Sequence, residues 1–252
     1  MRHVLILALD TSSPSGSVAL LRDSEVLSYA SIADELRSSR MFRQIDSMLR
    51  EVGVQTSAVD LFAAATGPGS FTGLRIGLAA VKGWAEVYGK PIAAVSALEA
   101  VAAQSQSLTE RIVPVLDARR GQLYFAVYQR TGTNARADGY RLAPHGNESV
   151  GTPEEFLAAI ERVAGSDGSS ISIPTPVPEL LQDLLSRSET KMPVAVHPRL
   201  QLEPVSPILA PHVGRIGLRQ SREGKLTDAL SLDANYVRRS DAELHWKVPA
   251  GS

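Results

Sequence analysis

Two short stretches carry residue types that could hold an anion. In "LALDTSSPSGSVAL", residues 7–20, Asp10 ends an apolar run and is followed by Thr11, Ser12 and a turn that contains a glycine. A carboxylate there can hold hydrated magnesium while hydroxyls and turn N–H groups face a phosphate. A polar hairpin with no ligand is the plainer alternative. In "TGPGSFTGLRIG", residues 66–77, four glycines, a proline and three hydroxyl residues precede a helical pattern. Gly67 and Gly69 let the backbone approach a ligand, and Ser70 stands where the helix would point its positive end. The spacing is not that of a P-loop, because Gly-x-x-x-x-Gly-Lys-Ser/Thr is missing and Arg75 is the only cation near it. A tight turn whose glycines serve packing would also explain it.

Other chemistries are poorly supplied. The five histidines are His3, His145, His197, His212 and His245, and no two stand at the i, i+3 or i, i+4 spacing of a helical metal pair. There is no Gly-x-Ser-x-Gly elbow, and there is no cysteine to form a disulfide, bind a metal or act as a nucleophile. No catalytic residue and no metal ligand is assigned on these grounds.

The elements that must position these stretches follow from periodicity. Apolar runs at 4–9, 17–21 and 26–30, separated by turns rich in Ser, Pro, Gly, Asp and Glu, predict three antiparallel strands. A helix is predicted over 34–52, a strand over 61–65, a helix over 74–88 ended by Gly89, and a strand over 92–95. The 74–88 helix has two apolar stripes: Leu74, Leu78, Val81, Ala85 and Tyr88, and beside it Gly73, Gly77, Ala80 and Trp84. Faces that wide are buried from two directions, one of which could be a partner helix approaching over the small residues; the alternative is packing inside the chain. After a polar break at 104–110, "RIVPVLDARRGQLYFAVYQRTG" repeats the plan of "VLILALDTSSPSGSVALLRDSE", with Asp117 on Asp10. Domains are therefore expected at 1–104 and 105–252. In the second, helices are predicted at 153–163, 178–186 and 205–222, a strand at 170–173 and a mobile last ten residues.

Composition sets outer limits. The chain has 252 residues, 44 % hydrophobic, with 26 basic and 27 acidic groups and a net charge of −1, which argues against a generally basic nucleic-acid-coating surface. An aspartate interrupts the first apolar run and no small-residue cleavage site follows, so a signal peptide is not expected. No apolar run is long enough for a membrane span.

"ILALDTSS", "GPGSFTGLRIG", "VSALEAVAAQ", "VLDARRGQLYFAVY" and "NYVRRS", in this order, resemble the TsaB (YeaZ) family, dimerization subunits of the bacterial tRNA threonylcarbamoyladenosine machinery. The resemblance implies an α/β fold like that of actin, sugar kinases and acetate kinase: two domains with a duplicated core flanking a nucleotide cleft, the second one reduced. It implies a noncatalytic role as the paired subunit of TsaD, the threonylcarbamoyltransferase, joined by the ATPase TsaE, with tRNA met only through the complex. A cytoplasmic location is expected, and a homodimer of the isolated chain stays open. The catalytic relative carries His-x-x-x-His where this chain has Ala97 and Val101, and a Gly-Gly loop that residues 163–172 do not reproduce. The second hairpin has become "DARRG". What remains is a vestigial nucleotide site of Asp10, Thr11, Ser12, Gly67, Gly69 and Ser70, with no cofactor required and weak ATP or ADP binding at most. The partner surface is expected on Met41, Ile45, Met48, Gly73, Gly77, Ala80 and Trp84, so that a charge at Gly77 or Ala80 would break association. An active sugar-kinase-like ATPase and a glycoprotease-type metallopeptidase are the competing readings.

Overall fold

The computed structural model describes residues 3–32, 39–131, 141–163, 170–187 and 200–238. The start of the first expected helix, the 188–199 connection, most of the 163–172 loop, His197, His245 and the last ten residues lie outside them. Three antiparallel strands open the chain: β1 (Leu5–Asp10), β2 (Ser17–Arg22) and β3 (Glu25–Ser31). There follow α1 (Ser39–Glu51), β4 (Leu61–Gly67), α2 (Phe71–Tyr88), β5 (Ile92–Ser96) and α3 (Ala97–Ala102). β4 runs parallel to β1 and β5 parallel to β4, giving a sheet of order β3-β2-β1-β4-β5. Both faces are covered, so the strands read as unbroken apolar runs while their side chains still alternate. Leu7, Leu9, Phe62 and Ala64 pack with α1 and α2; Ile6, Ala8, Leu61 and Ala63 pack on the opposite face.

The second half repeats the plan. Its elements are β6 (Arg111–Ile112), β7 (Val115–Arg119), β8 (Gln122–Phe125), β9 (Tyr128–Thr131), β10 (Arg141–Pro144), β11 (Ser149–Gly151), α4 (Pro153–Val163), β12 (Ile171–Thr175), α5 (Pro178–Arg187) and β13 (Leu200–Pro204). A sheet of order β10-β9-β6-β12-β13 has the strand directions of the first, β6 standing for β1 and β12 for β4. β7 and β8 prolong the β6–β9 hairpin past Pro114, pair with each other, and β8 pairs on its other side with β11. This is the actin and sugar-kinase-like α/β fold with its duplicated core.

Two expectations need correction. No strand is expected between residues 186 and 205, yet β13 forms there, because its residues pair in parallel with β12. The last helix begins not at Val205 but as α6 (Ala210–Arg222): Pro207 disfavours helix at Ser206, and Pro211 fits the first helical turn. Although it comes from far beyond residue 104, α6 lies across β1, β2, β4 and β5 and closes the open face of the first sheet.

His212, in the first turn of α6, supplies a pH test. Burial, with Arg215 adding repulsion, lowers its pKa from 6.5 to about 4. A ring kept neutral in the folded state makes stability complete above the unfolded value of 6.5 and lost as pH falls toward 4. Thermal melts across that window are expected to lose about 3 kcal/mol, and His212→Gln to remove that share of the loss.

Candidate functional site

Asp10 is fully buried at the end of β1, where the chain turns. Its Oδ1 accepts from the Ser12 N–H at 2.8 Å and the Ser12 hydroxyl at 2.6 Å, and its Oδ2 from the Ser13 hydroxyl at 2.8 Å. Burial pushes its pKa up, while the serine hydrogen bonds pull the other way. The carboxylate is thus engaged in shaping its own turn. The glycine loop is docked on that turn: the Ser70 N–H donates to the Ser12 carbonyl at 2.8 Å, and the Ser70 hydroxyl accepts from the Gly73 N–H at 3.2 Å, capping α2. Added Cβ atoms at Gly69 and Gly73 would fall within 3.0 Å of the Ser12 and Thr11 carbonyl oxygens, a separation that Cβ atoms essentially never show. These glycines are what let helix and hairpin backbones touch.

The second hairpin forms the opposite wall. Asp117 Oδ1 accepts from the Arg119 N–H at 2.6 Å, and the Arg119 guanidinium lies 3.4 Å from Oδ2. Arg119 and Arg120 take left-handed φ angles of 63° and 56°. Such values are uncommon for bulky residues, so the duplicated turn has kept its aspartate but fills its tip with two long cations. Between the walls lies a cleft of about 490 Å³. Residues 235–238 run along it. The Tyr236 ring sits 5.1 Å from that of Phe71, over which Arg75 is placed at 3.9 Å.

A polar cluster adjoins the cleft. Glu148 accepts from the Ser96 hydroxyl and, at 2.5 Å, from the Asn235 side-chain amide. Burial raises its pKa, while Ser96 and Asn235 act in the opposite sense. Burial raises the Tyr128 pKa too, with Glu148 adding to the effect. Sequence reading missed this group because its members lie on β5, β9, the loop before β11 and the tail; only their convergence marks it.

Of the expected nucleotide-site residues, Ser12, Gly69 and Ser70 line one end of the cleft, Asp10 and Thr11 are buried in the adjoining turn, and Gly67 ends β4 against Asn235. Ala97 and Val101 are fully buried on α3 within the core shared by the two halves. Among the described residues no three His, Asp or Glu side chains stand close enough to hold a metal, and no helix is long and apolar enough to cross a membrane. Of the seven expected interface residues, six make contacts inside the chain. Met41, Ile45, Met48 and Ala80 belong to the core beneath α1 and α2, and Gly73 and Gly77 are used against Thr11. The second stripe therefore has an internal use. Trp84 alone of the seven reaches the surface, partly covered by Phe42 at a ring separation of 5.7 Å. Beside it Phe42 is 42 % and Val87 75 % exposed.

The family described as "TsaD: tRNA N6-adenosine threonylcarbamoyltransferase" matches residues 29–196. The tRNA threonylcarbamoyladenosine biosynthesis protein TsaB of Haemophilus influenzae is 36 % identical over 164 residues, which are 64 % of this chain and 70 % of that protein. Its Bacillus subtilis namesake is 38 % identical over 49 % of this chain, and the match spans only 55 % of that relative's length. A crystal structure of YeaZ from Pseudomonas aeruginosa superposes with a TM-score of 0.69 at 30 % identity, covering 92 % of this chain and 99 % of the other.

Proposed function

Because the chain belongs to the TsaB family of tRNA threonylcarbamoyladenosine biosynthesis proteins, we propose that it is a noncatalytic subunit that pairs with a TsaD-type threonylcarbamoyltransferase. In that pairing it supports threonylcarbamoyladenosine modification of tRNA beside the anticodon. The observation that carries the reading is the pair Ala97 and Val101. At the positions where the catalytic relative has its paired histidines, these two apolar side chains are sealed in the core and can ligate nothing. Both hairpin aspartates turn inward on their own loops, so ATP or ADP would bind the cleft weakly and no cofactor is required. Pairing uses the rim of Phe42, Trp84 and Val87, apolar groups left over after the core has taken the rest of α1 and α2. A TsaE-type ATPase completes the assembly, and tRNA is met only through it, in the cytoplasm. In isolation the same rim would serve a homodimer.

Coexpression with TsaD-type and TsaE-type subunits, followed by chromatography and assay of the modified nucleoside, tests the role. Coelution and product are the expected results. Val87→Arg is expected to weaken pairing about tenfold or more. Its own melt should stay within about 0.5 kcal/mol of the parent, since the site is solvent-exposed. Separate elution of the parent chain would overturn the pairing. Steady ATP hydrolysis by the chain alone, abolished by Asp10→Ala, would replace it with the kinase-like reading.

A further inference from the structure

Residues 232–238 touch the first half, then the second, on their way along the cleft. Leu232 is buried with the α1–α2 core, and the Asn235 N–H donates to the Thr66 carbonyl, at the end of β4, at 2.7 Å. The Asn235 side chain then reaches Glu148. Tyr236 returns to Phe71 on α2, and Arg238 crosses to the second hairpin, donating to the Ala118 carbonyl at 2.9 Å and to the Gln122 side chain. We infer that this segment is a strap that holds the two halves closed over the cleft, fixed to the first half and latched reversibly to the second. The asymmetry lies in the contacts. On the first half they are a buried leucine, a backbone hydrogen bond and a ring pair. On the second half they are side-chain hydrogen bonds made by an exposed Asn235 and a half-buried Arg238, which water can replace at small net cost, while the half-buried Val237 between them packs on the cluster the halves share. The apolar cluster shared by α3, β5, β6 and Tyr128 joins the halves, reaches the latches at Ala118 and Tyr128, and acts as the hinge about which they part. The strap does not depend on the pairing proposed above, since every contact lies within one chain.

The absence of cysteine makes the test direct. Ser57→Cys and Gln182→Cys place spin labels on exposed positions of the first and second halves, and the distance between them is measured by pulsed electron resonance on the full chain. With the strap intact a single narrow distribution is expected. Adding Asn235→Ala and Arg238→Gln, which cut only the second-half latches, should shift it to longer distances and broaden it while the melt stays cooperative. An unchanged distribution in the folded double-latch variant overturns the proposal. If that variant does not fold, Arg238→Gln alone decides by the same readout, because it leaves Leu232, Asn235 and Tyr236 in place.

Discussion

A Gly73→Val variant is expected to melt about 6–12 °C below the parent, the shift that a loss of about 3 kcal/mol produces in a chain of this size. The added Cβ would overlap the Thr11 carbonyl oxygen, which is backbone and cannot rotate aside. Nor can the hairpin retreat, because Ser12 is held by Asp10 on one side and by the Ser70 N–H on the other. Helix propensity favours valine over glycine by only a few tenths of a kcal/mol, too little to offset the overlap. Gly83→Ala is the control: it lies on the exposed face of the same helix with nothing within 4 Å of the new Cβ, and a gain of about 0.5–1 kcal/mol is expected. The same geometry changes what Gly77→Arg should do. A side chain there strikes the Thr11 side chain within the fold, so the loss appears in the melt before it appears in any association assay.

Gly217→Ile is the second large effect. On α6 the position faces the first sheet so closely that a Cβ would stand 2.9 Å from the Ala63 Cβ and 3.1 Å from the Ala93 Cβ. Both neighbours are methyl groups fixed directly to the backbone of β4 and β5, so neither can rotate out of the way. An isoleucine must lift the helix off the sheet, and urea titration should show a loss of about 3 kcal/mol or more. Gly214→Ala, one turn away, meets the mobile end of Leu21 instead and should cost distinctly less.

The first sheet was legible in the sequence because its strands are continuous apolar runs bounded by turn residues, and its helices end at Gly53 and Gly89. The duplicated strand order was foreshadowed by one echo, Asp117 against Asp10, and the structure extends it to the whole second sheet. β13 was not legible: only its first residue is buried, it carries Gln201 and Glu203 and ends in proline, a weak strand signal that pairing with β12 overrides. For the second stripe of α2, spacing left a partner helix and internal packing both open, for a physical reason. Small residues at helical spacing report only that something comes close, and here it is the chain's own hairpin. Neither the strap nor the Glu148 cluster could be found by spacing, since each is made by residues far apart in the chain.

The position of α6 also sets a timetable for synthesis. On a ribosome adding about 5–20 residues per second, the nascent chain finishes α3 and then needs roughly ten seconds to deliver the helix that covers one face of its first sheet. Throughout that interval Ile6, Ala8, Leu21, Ala63 and Ala93 lack the α6 layer, and α3 covers only the β4 and β5 side of that face. The usual order, in which an amino-terminal domain folds while the rest is still being made, is closed to this chain. Its first sheet can be sealed only once α6 has been made, and a stop codon anywhere before residue 210 would release a sheet with that face incompletely covered.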